Sequence, residues 1–277
     1  MKFLPIKRMI ELHYDELTCT EKDIADFFLE SEQSLNFLRA QCLAKHLHVS
    51  ESSLTRFAQK CGFSGYREFI YQLKEQQEQM KATFNPALSS TMIRILSDYE
   101  QILDTSQSLL SEVQIDWMIH HLEQAKRVYF YGKGFSGLVA REFSIRFLRL
   151  GLVSEAIIHD DMLHWIDGVI DESCLVIGLS VSGQTQSVRS ALEKAKKKGA
   201  STCLITTQYH RMDYVDCLFR VASTRHLNYG NRISPQLPLS IALDVVFAYF
   251  LDYGEREKKQ ALYERSLIPG DDPLLDI

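Results

Sequence analysis

The chain lacks paired cysteines. Its six, Cys19, Cys42, Cys61, Cys174, Cys203 and Cys217, include no C-x-x-C and sit mostly in apolar patterns. That spacing argues against a disulfide framework and against a metal site, and reads as reduced core residues of a cytosolic protein. A membrane-spanning run is also missing. The longest apolar stretch, LPLSIALDVVFAYFLDY (237–253), carries Asp244 at its centre and is too short to cross a bilayer comfortably, so it predicts a buried helix. The apolar residues after Met1 are cut by Pro5 and then by Lys7-Arg8, which is not the pattern of a secretory signal. Nor is there an excess of basic charge. With 31 Lys and Arg against 36 Asp and Glu, the net charge of −5 excludes a protein that coats nucleic acid by bulk charge.

What is present is unevenly distributed. At 277 residues the chain has room for two cores. Residues 11–32 hold eight acidic residues against Lys22 alone, whereas 39–74 carry six basic residues against Glu51 and Glu68. A basic segment beside an acidic one fits a localised electrostatic footprint, and equally a solvated charged surface. Apolar residues recur at helical spacing through 20–29, 40–47, 51–61 and 66–77, with short connections, which predicts an all-helical domain over 1–80. At its centre, Leu43, Ala44 and Leu47 face one way on a short helix, and a tight turn follows at His48-Val49. His48 stands where glycine is usual, but histidine tolerates positive φ. Ser50 is placed to cap a helix whose inward side is Leu54, Phe57, Ala58 and Cys61, with Gly62 ending it. This is the spacing of a helix-turn-helix with 51–61 as recognition helix. Its outward residues are read as Ser52, Ser53, Thr55, Arg56, Gln59 and Lys60, donors suited to phosphates and base edges.

The polar, glutamine-rich stretch KEQQEQMKATFNPALSST marks a domain boundary, so 81–110 is read as linker and connecting helix. Helical patterns at 91–110 and 114–124 precede a strand–turn–helix over 127–151, with further strands expected at 153–158, 174–179, 201–206 and 217–221. Strand alternating with helix implies an α/β domain over 111–254, with a parallel sheet covered by helices on both faces, and a tail over 255–277. Two strand-to-helix turns carry its chemistry. In GLSVSGQTQSV, Ser180, Ser182 and Thr185 offer hydroxyls beside the free N–H groups of a helix start, and Gly183 permits close backbone approach; this suits a phosphate, or else an N-capped turn with spare serines. The other turn, GKGFSG, presents Gly134 and Ser136 and also fits the dinucleotide fingerprint, with Asp160-Asp161 after the next strand. A nicotinamide-sensing redox repressor is therefore a rival reading. Against it, Asp160 lies late for a ribose-binding acid, and one pyrophosphate site does not account for two hydroxyl-bearing turns.

YGKGFSG followed by GLSVSGQTQSV and AKKKGASTCLITT resembles the sugar isomerase (SIS) phosphosugar-binding fold. LTCTEKDIADFF with LAKHLHVSESSLTRFAQKCGFSGYREF resembles the N-terminal domain of the RpiR/MurR transcriptional regulators. The resemblance implies a regulator of carbohydrate metabolism rather than an enzyme, with no cofactor and no membrane partner. Its first domain would bind double-stranded operator DNA and its second a phosphorylated sugar, in a homo-oligomer of at least two copies. Carried over by position, Ser136, Ser180, Ser182 and Thr185 would hold the phosphate, with Gly183 and Gln184 giving backbone contacts. Pairing is expected from the 91–110 and 237–251 helices. The SIS fold also serves aldose–ketose isomerases, which need an acid and a base. His159, His164, Glu142 and His226 are the candidates; His159 and His164 are read as lining the rim, and Glu142 as a helix-surface charge.

Overall fold

The computed structural model describes residues 6–30, 38–83, 88–210, 212–223 and 233–266. Two compact units divide the chain, with the main break between Gln101 and Ile102. The first is helical: α1 (Ile6–His13), a 3-10 turn, α2 (Cys19–Glu30), α3 (Ala40–His46), α4 (Glu51–Lys60) and α5 (Tyr66–Thr83). Helix α1 was not expected; it buries Ile6 and Ile10, four residues apart, in the same core as the others. Helix α2 starts with a capping box. Glu21 Oε2 accepts from the Thr18 N–H at 2.9 Å, and the Glu21 N–H returns to Thr18 Oγ1 at 3.4 Å. Edge-to-face contacts of Phe69 with Phe28, Phe57 and Phe63, at 4.8, 5.5 and 5.2 Å between centroids, lock α2, α4 and α5 together.

Helix α6 (Ser90–Leu109) contains the break between the units. The second unit continues as α7 (Glu112–Gln124), β1 (Arg127–Gly132), α8 (Gly134–Arg149), β2 (Ser154–Ile157), α9 (Asp160–Asp167), β3 (Cys174–Leu179), α10 (Gln186–Lys197), β4 (Ser201–Thr206) and β5 (Cys217–Arg220). It ends with α11 (Leu237–Asp252) and α12 (Arg256–Arg265). All neighbouring strands pair in parallel, in the order β2-β1-β3-β4-β5. Alternate strand residues point to opposite faces. Phe130, Ile177 and Ile205 meet α7, α8 and α11 on one face, while Tyr129, Tyr131 and Val176 meet α9 and α10 on the other.

The apolar 237–253 stretch is a helix with Leu239, Leu243, Val246 and Phe250 buried against the sheet, so that face is not available for pairing two chains. Among the described residues no single helix is long and apolar enough to cross a membrane. Asp244, its central acid, is exposed and bonded to Arg146 at 2.5 Å. The segment expected as a tail instead carries α12, held at one end by Arg149, which donates to Ser266 Oγ at 2.7 Å, and at the other by Lys259. The Lys259 ammonium donates to the Phe250 and Tyr253 carbonyls at 2.7 and 2.9 Å and pairs with Glu123, which neutralises the C-terminal end of α11.

Burial pushes the carboxyls of Glu21 and Asp216 up, but their bonds outweigh it. Lys60 and Thr18 act on Glu21, and Lys196 and Thr202 on Asp216, so both end below the ordinary carboxylate range. A carboxylate depressed in the folded state contributes stability that is fully present above its unfolded value and is lost as pH falls through the folded one. Urea unfolding across pH is therefore expected to show stability declining on acidification below about pH 4. Glu21→Gln keeps a capping group but no charge, so this variant is expected to be less stable at neutral pH and to lose less on acidification.

Candidate functional site

Two surfaces gather the residues that the sequence singles out, one in each unit. In the first, α3 closes through the Val49 N–H to the Ala44 carbonyl at 2.9 Å, with His48 at φ +54° in the left-handed region. The turn thus forms with histidine where glycine is usual. Ser50 then caps α4, its Oγ accepting from the Ser53 N–H at 3.1 Å. Leu54, Phe57 and Ala58 are buried, which leaves Ser52, Arg56, Gln59 and Lys60 exposed and Thr55 half-buried.

Two residues depart from the outward set. Ser53 is buried, because it lies four residues before Phe57 and so one turn along the same inward row. Its Oγ is shared with Ser50 Oγ at 2.8 Å and accepts from Arg56 Nη2 at 3.3 Å, so it holds the cap and the arginine in place. Lys60 is exposed along its stem, but its ammonium donates to Glu21 Oε2 at 2.6 Å and to the Glu16 carbonyl at 3.3 Å. It braces α4 on α2.

In the second unit, β1 and β3 are neighbours with Gly132 in register with Leu179, so the turns that follow them emerge side by side at one sheet edge. The first turn is wrapped closely. A Cβ on Gly132 would lie 2.6 Å from the Ser136 carbonyl oxygen, so only glycine lets α8 begin so near the strand end. Gly134 opens that helix, and Ser136 is half-buried in its first turn.

The second turn is held from within and from β4. The Ser180 Oγ, itself buried, lies 3.0 Å from Thr185 Oγ1. Gly183 and Gln184, expected to offer N–H groups outward, use them inside the loop: Gly183 donates to the Ser180 carbonyl at 3.0 Å and Gln184 to Ser182 Oγ at 3.2 Å. The outward donors are therefore the first-turn N–H groups of α10, together with the hydroxyls. Ser182 is exposed, and Thr185 is the N-cap of α10 without a side-chain capping bond of its own.

Three residues at the end of β4 were not singled out in the sequence as site residues. Thr206 and Thr207 donate their hydroxyls to the Val181 carbonyl at 3.2 and 2.8 Å, and Gln208 Nε2 donates to the Ser182 carbonyl at 2.9 Å. They clamp the loop by its carbonyls. The motif LITTQ ends a predicted strand, but only the pairing of β3 with β4 brings it under the turn.

Of the isomerase candidates, His159 lines a small cleft with Tyr131, Gly132, Lys133 and Ser187 at the ends of β1 and β2. Glu142 lies exposed on α8 and pairs with Arg146 at 3.6 Å, as a helix-surface charge does. His226 lies outside the described residues, and α9 is described at His164 in its backbone alone.

Residues 5–80 match the family model of the rpiR-type helix-turn-helix domain, and residues 121–212 match the SIS domain. The second match spans both turns. The chain joins an rpiR-type helix-turn-helix domain to a SIS domain. It is a transcriptional regulator with these two domains, and the GKGFSG turn lies within the SIS domain. It is 26% identical to an uncharacterized HTH-type transcriptional regulator of Haemophilus influenzae, over 88% of each chain. It is 25% identical to the transcriptional regulator RpiR of Escherichia coli K12, over 75% of this chain and 74% of that one. In fold it is similar to the Vibrio vulnificus NanR protein complexed with ManNAc-6P, at a TM-score of 0.58 and 18% identity, over 94% of this chain and 96% of that one.

Gly183 has φ +65°, and a Cβ there would lie 2.6 Å from Gln208 Cγ and 2.9 Å from Thr206 Oγ1. Gly183→Ala is expected to lower the unfolding free energy of the second unit by roughly 1–3 kcal/mol, from strain in the left-handed region and displacement of the clamp. Chemical denaturation measures this directly.

Proposed function

We propose that the SIS domain of this regulator binds a phosphorylated sugar and that occupation changes the affinity of the helix-turn-helix domain for operator DNA. The carrying observation is the convergence of two hydroxyl-bearing helix starts, after β1 and β3, at one sheet edge. Parallel α/β sheets bind ligands where the strand order reverses, and this order reverses between β1 and β3. Ser136, Ser180, Ser182 and Thr185 are proposed as phosphate ligands, with the first turn of α10 supplying N–H groups and Lys133 adding charge at the rim. A relative in fold is complexed with ManNAc-6P, which supports a phosphosugar as the ligand class.

Ser52, Thr55, Arg56 and Gln59 are proposed to read the operator, with Ser50, Ser53 and Lys60 setting the pose of α4. The functional division follows: 1–80 reads DNA, 81–110 connects, and the SIS domain extends from 111 through α12. One such helix covers a single half-site, so two-fold pairing and a palindromic operator complete the reading. Operator binding places the protein in the cytoplasm. The regulator reading is favoured over an isomerase because the relatives that match over most of the chain are named HTH-type transcriptional regulators.

Titration calorimetry against a panel of hexose and amino-sugar phosphates, alongside operator titrations, tests the proposal. Ser182→Ala is expected to weaken the cognate ligand by roughly 1.5–3 kcal/mol, the worth of one hydrogen bond to a charged group. Ser182→Glu is expected to abolish it by bulk and like-charge repulsion while leaving basal operator binding intact. Arg56→Ala is expected to weaken operator binding by about 1–3 kcal/mol. Effector and operator must change each other's affinity by the same factor. If no sugar phosphate binds, or both Ser182 variants bind as wild type does, the serine-rich turn is only a helix cap.

A further inference from the structure

Of the two cations on α4, Lys60 is already neutralised. At 100° per residue Thr55 and Lys60 fall on opposite margins of the exposed side of that helix, about 140° apart, with Ser52, Arg56 and Gln59 between them. The Lys60 margin is closed, since its ammonium lies on Glu21 of α2 and on the Glu16 carbonyl, within the acidic segment 11–32. Arg56 rests on a neutral hydroxyl, Ser53 Oγ. A helix seated in a major groove has phosphates along both margins, and one guanidinium neutralises few of them.

The Thr55 margin is built differently. Gln59 Nε2 donates to the Ser64 carbonyl at 3.4 Å, and a Cβ on Gly65 would lie 3.8 Å from Thr55 Cγ2, so the connection from α4 into α5 runs along this side. The buried Tyr66 hydroxyl then donates to the Leu38 carbonyl at 3.1 Å, which sets the start of α5 against the approach to α3. The residue after each member of that bonded pair is an arginine. Arg39 and Arg67 are both exposed, and among the described residues no carboxylate pairs with either. Glu68, the acid next to Arg67 in the chain, is engaged elsewhere: it accepts from the Ser64 N–H at 2.6 Å and from Gln72 Nε2 at 3.0 Å.

We propose that Arg39 and Arg67 grip the phosphate backbone of the operator along the Thr55 margin of α4, and so set how that helix lies in the groove. This rests on the operator reading above and adds a direction to it: the backbone is held on the α3–α5 side of α4 rather than on the α2 side, where Lys60 is spent on Glu21. Guanidinium groups suit the task, since each forks onto phosphate oxygens and stays charged at any physiological pH. Contacts of this kind position the protein without reading sequence, which separates these two arginines from Arg56.

Fluorescence anisotropy over a salt series tests this, with the full chain and two labelled duplexes: one of mixed sequence, and one enriched by the wild-type chain from a randomised pool. Arg39→Ala and Arg67→Ala are each expected to weaken both duplexes by the same factor, roughly 3- to 10-fold, and to reduce the slope of log K against log salt by about one per bound chain. Arg67→Lys keeps the charge and is expected to keep the slope. Lys197→Ala removes another exposed cation, from α10, and is expected to match wild type. Arg56→Ala is expected instead to weaken the enriched duplex more than the mixed one. Circular dichroism checks that the variants fold; should an alanine variant not, Arg39→Gln and Arg67→Gln keep a long polar side chain and are expected to give the same loss of slope. An unchanged slope in either arginine variant, an equal loss in Lys197→Ala, or weakening confined to the enriched duplex would overturn the assignment. A wild-type chain that binds neither duplex overturns the operator reading as well, whereas wild-type binding with unchanged slopes in the variants overturns this one alone.

Discussion

Parallel pairing of β1 with β3 is the constraint on which the second unit depends. The chain leaves β1 through α8 to reach β2 on one side, and leaves β3 through α10 to reach β4 on the other. The two helices therefore start from adjacent strand ends and depart to opposite faces of the sheet. The crevice between them is bounded by backbone: the close wrap of Gly132 on Ser136, and the loop from Ser180 to Thr185 folded onto the end of β4. A Cβ at Gly132 would separate α8 from the sheet and with it one half of the crevice.

The first unit solves a similar problem with rings. Phe69 on α5 meets Phe28 of α2 and Phe57 of α4, so three helices share one contact point. That contact orients α4, and two polar devices refine it. Ser53, buried under the cap, accepts from Arg56, and Lys60 ties the far end of the helix to Glu21. Glu21 in turn caps α2. One carboxylate thus links the start of α2 to the end of α4, which explains why it is buried although charged: every oxygen contact it makes is to a donor that folding positions. The acidic segment beside the basic one is in part an internal counter-charge rather than a separate surface.

The turn after β3 divides its labour between carbonyls and donors. Thr206, Thr207 and Gln208 hold the carbonyls of Val181 and Ser182, while Gly183 and Gln184 spend their N–H groups inside the loop. Rigidity is thereby set by groups that need not touch a ligand. In the proposed binding role the hydroxyls and the first turn of α10 would be already aimed and need little reorganisation when charge arrives.

Local pattern was enough to read the helix-turn-helix, the alternation of strand and helix, and the two hydroxyl-bearing turns, because period and turn chemistry act over a few residues. It also carried the left-handed His48 and the buried character of 237–253. Other features needed tertiary structure. Ser53 carries the same hydroxyl as Ser52, and only the packing of Phe57 decides which of them is covered. Lys259 reads as one charge in a charged helix until α11 ends beside it and offers two carbonyls. Thr206, Thr207 and Gln208 look like an unremarkable strand end, and their role exists only because β4 lies next to β3, some thirty residues earlier in the chain. The sequence by itself determined the alternation of helix and strand from the helix-turn-helix to the last apolar helix and which turns carry hydroxyls beside a helix start, since those depend on neighbours along the chain. Which donors face outward and which charges are already paired were decided by strand order and helix packing, since those depend on neighbours in space.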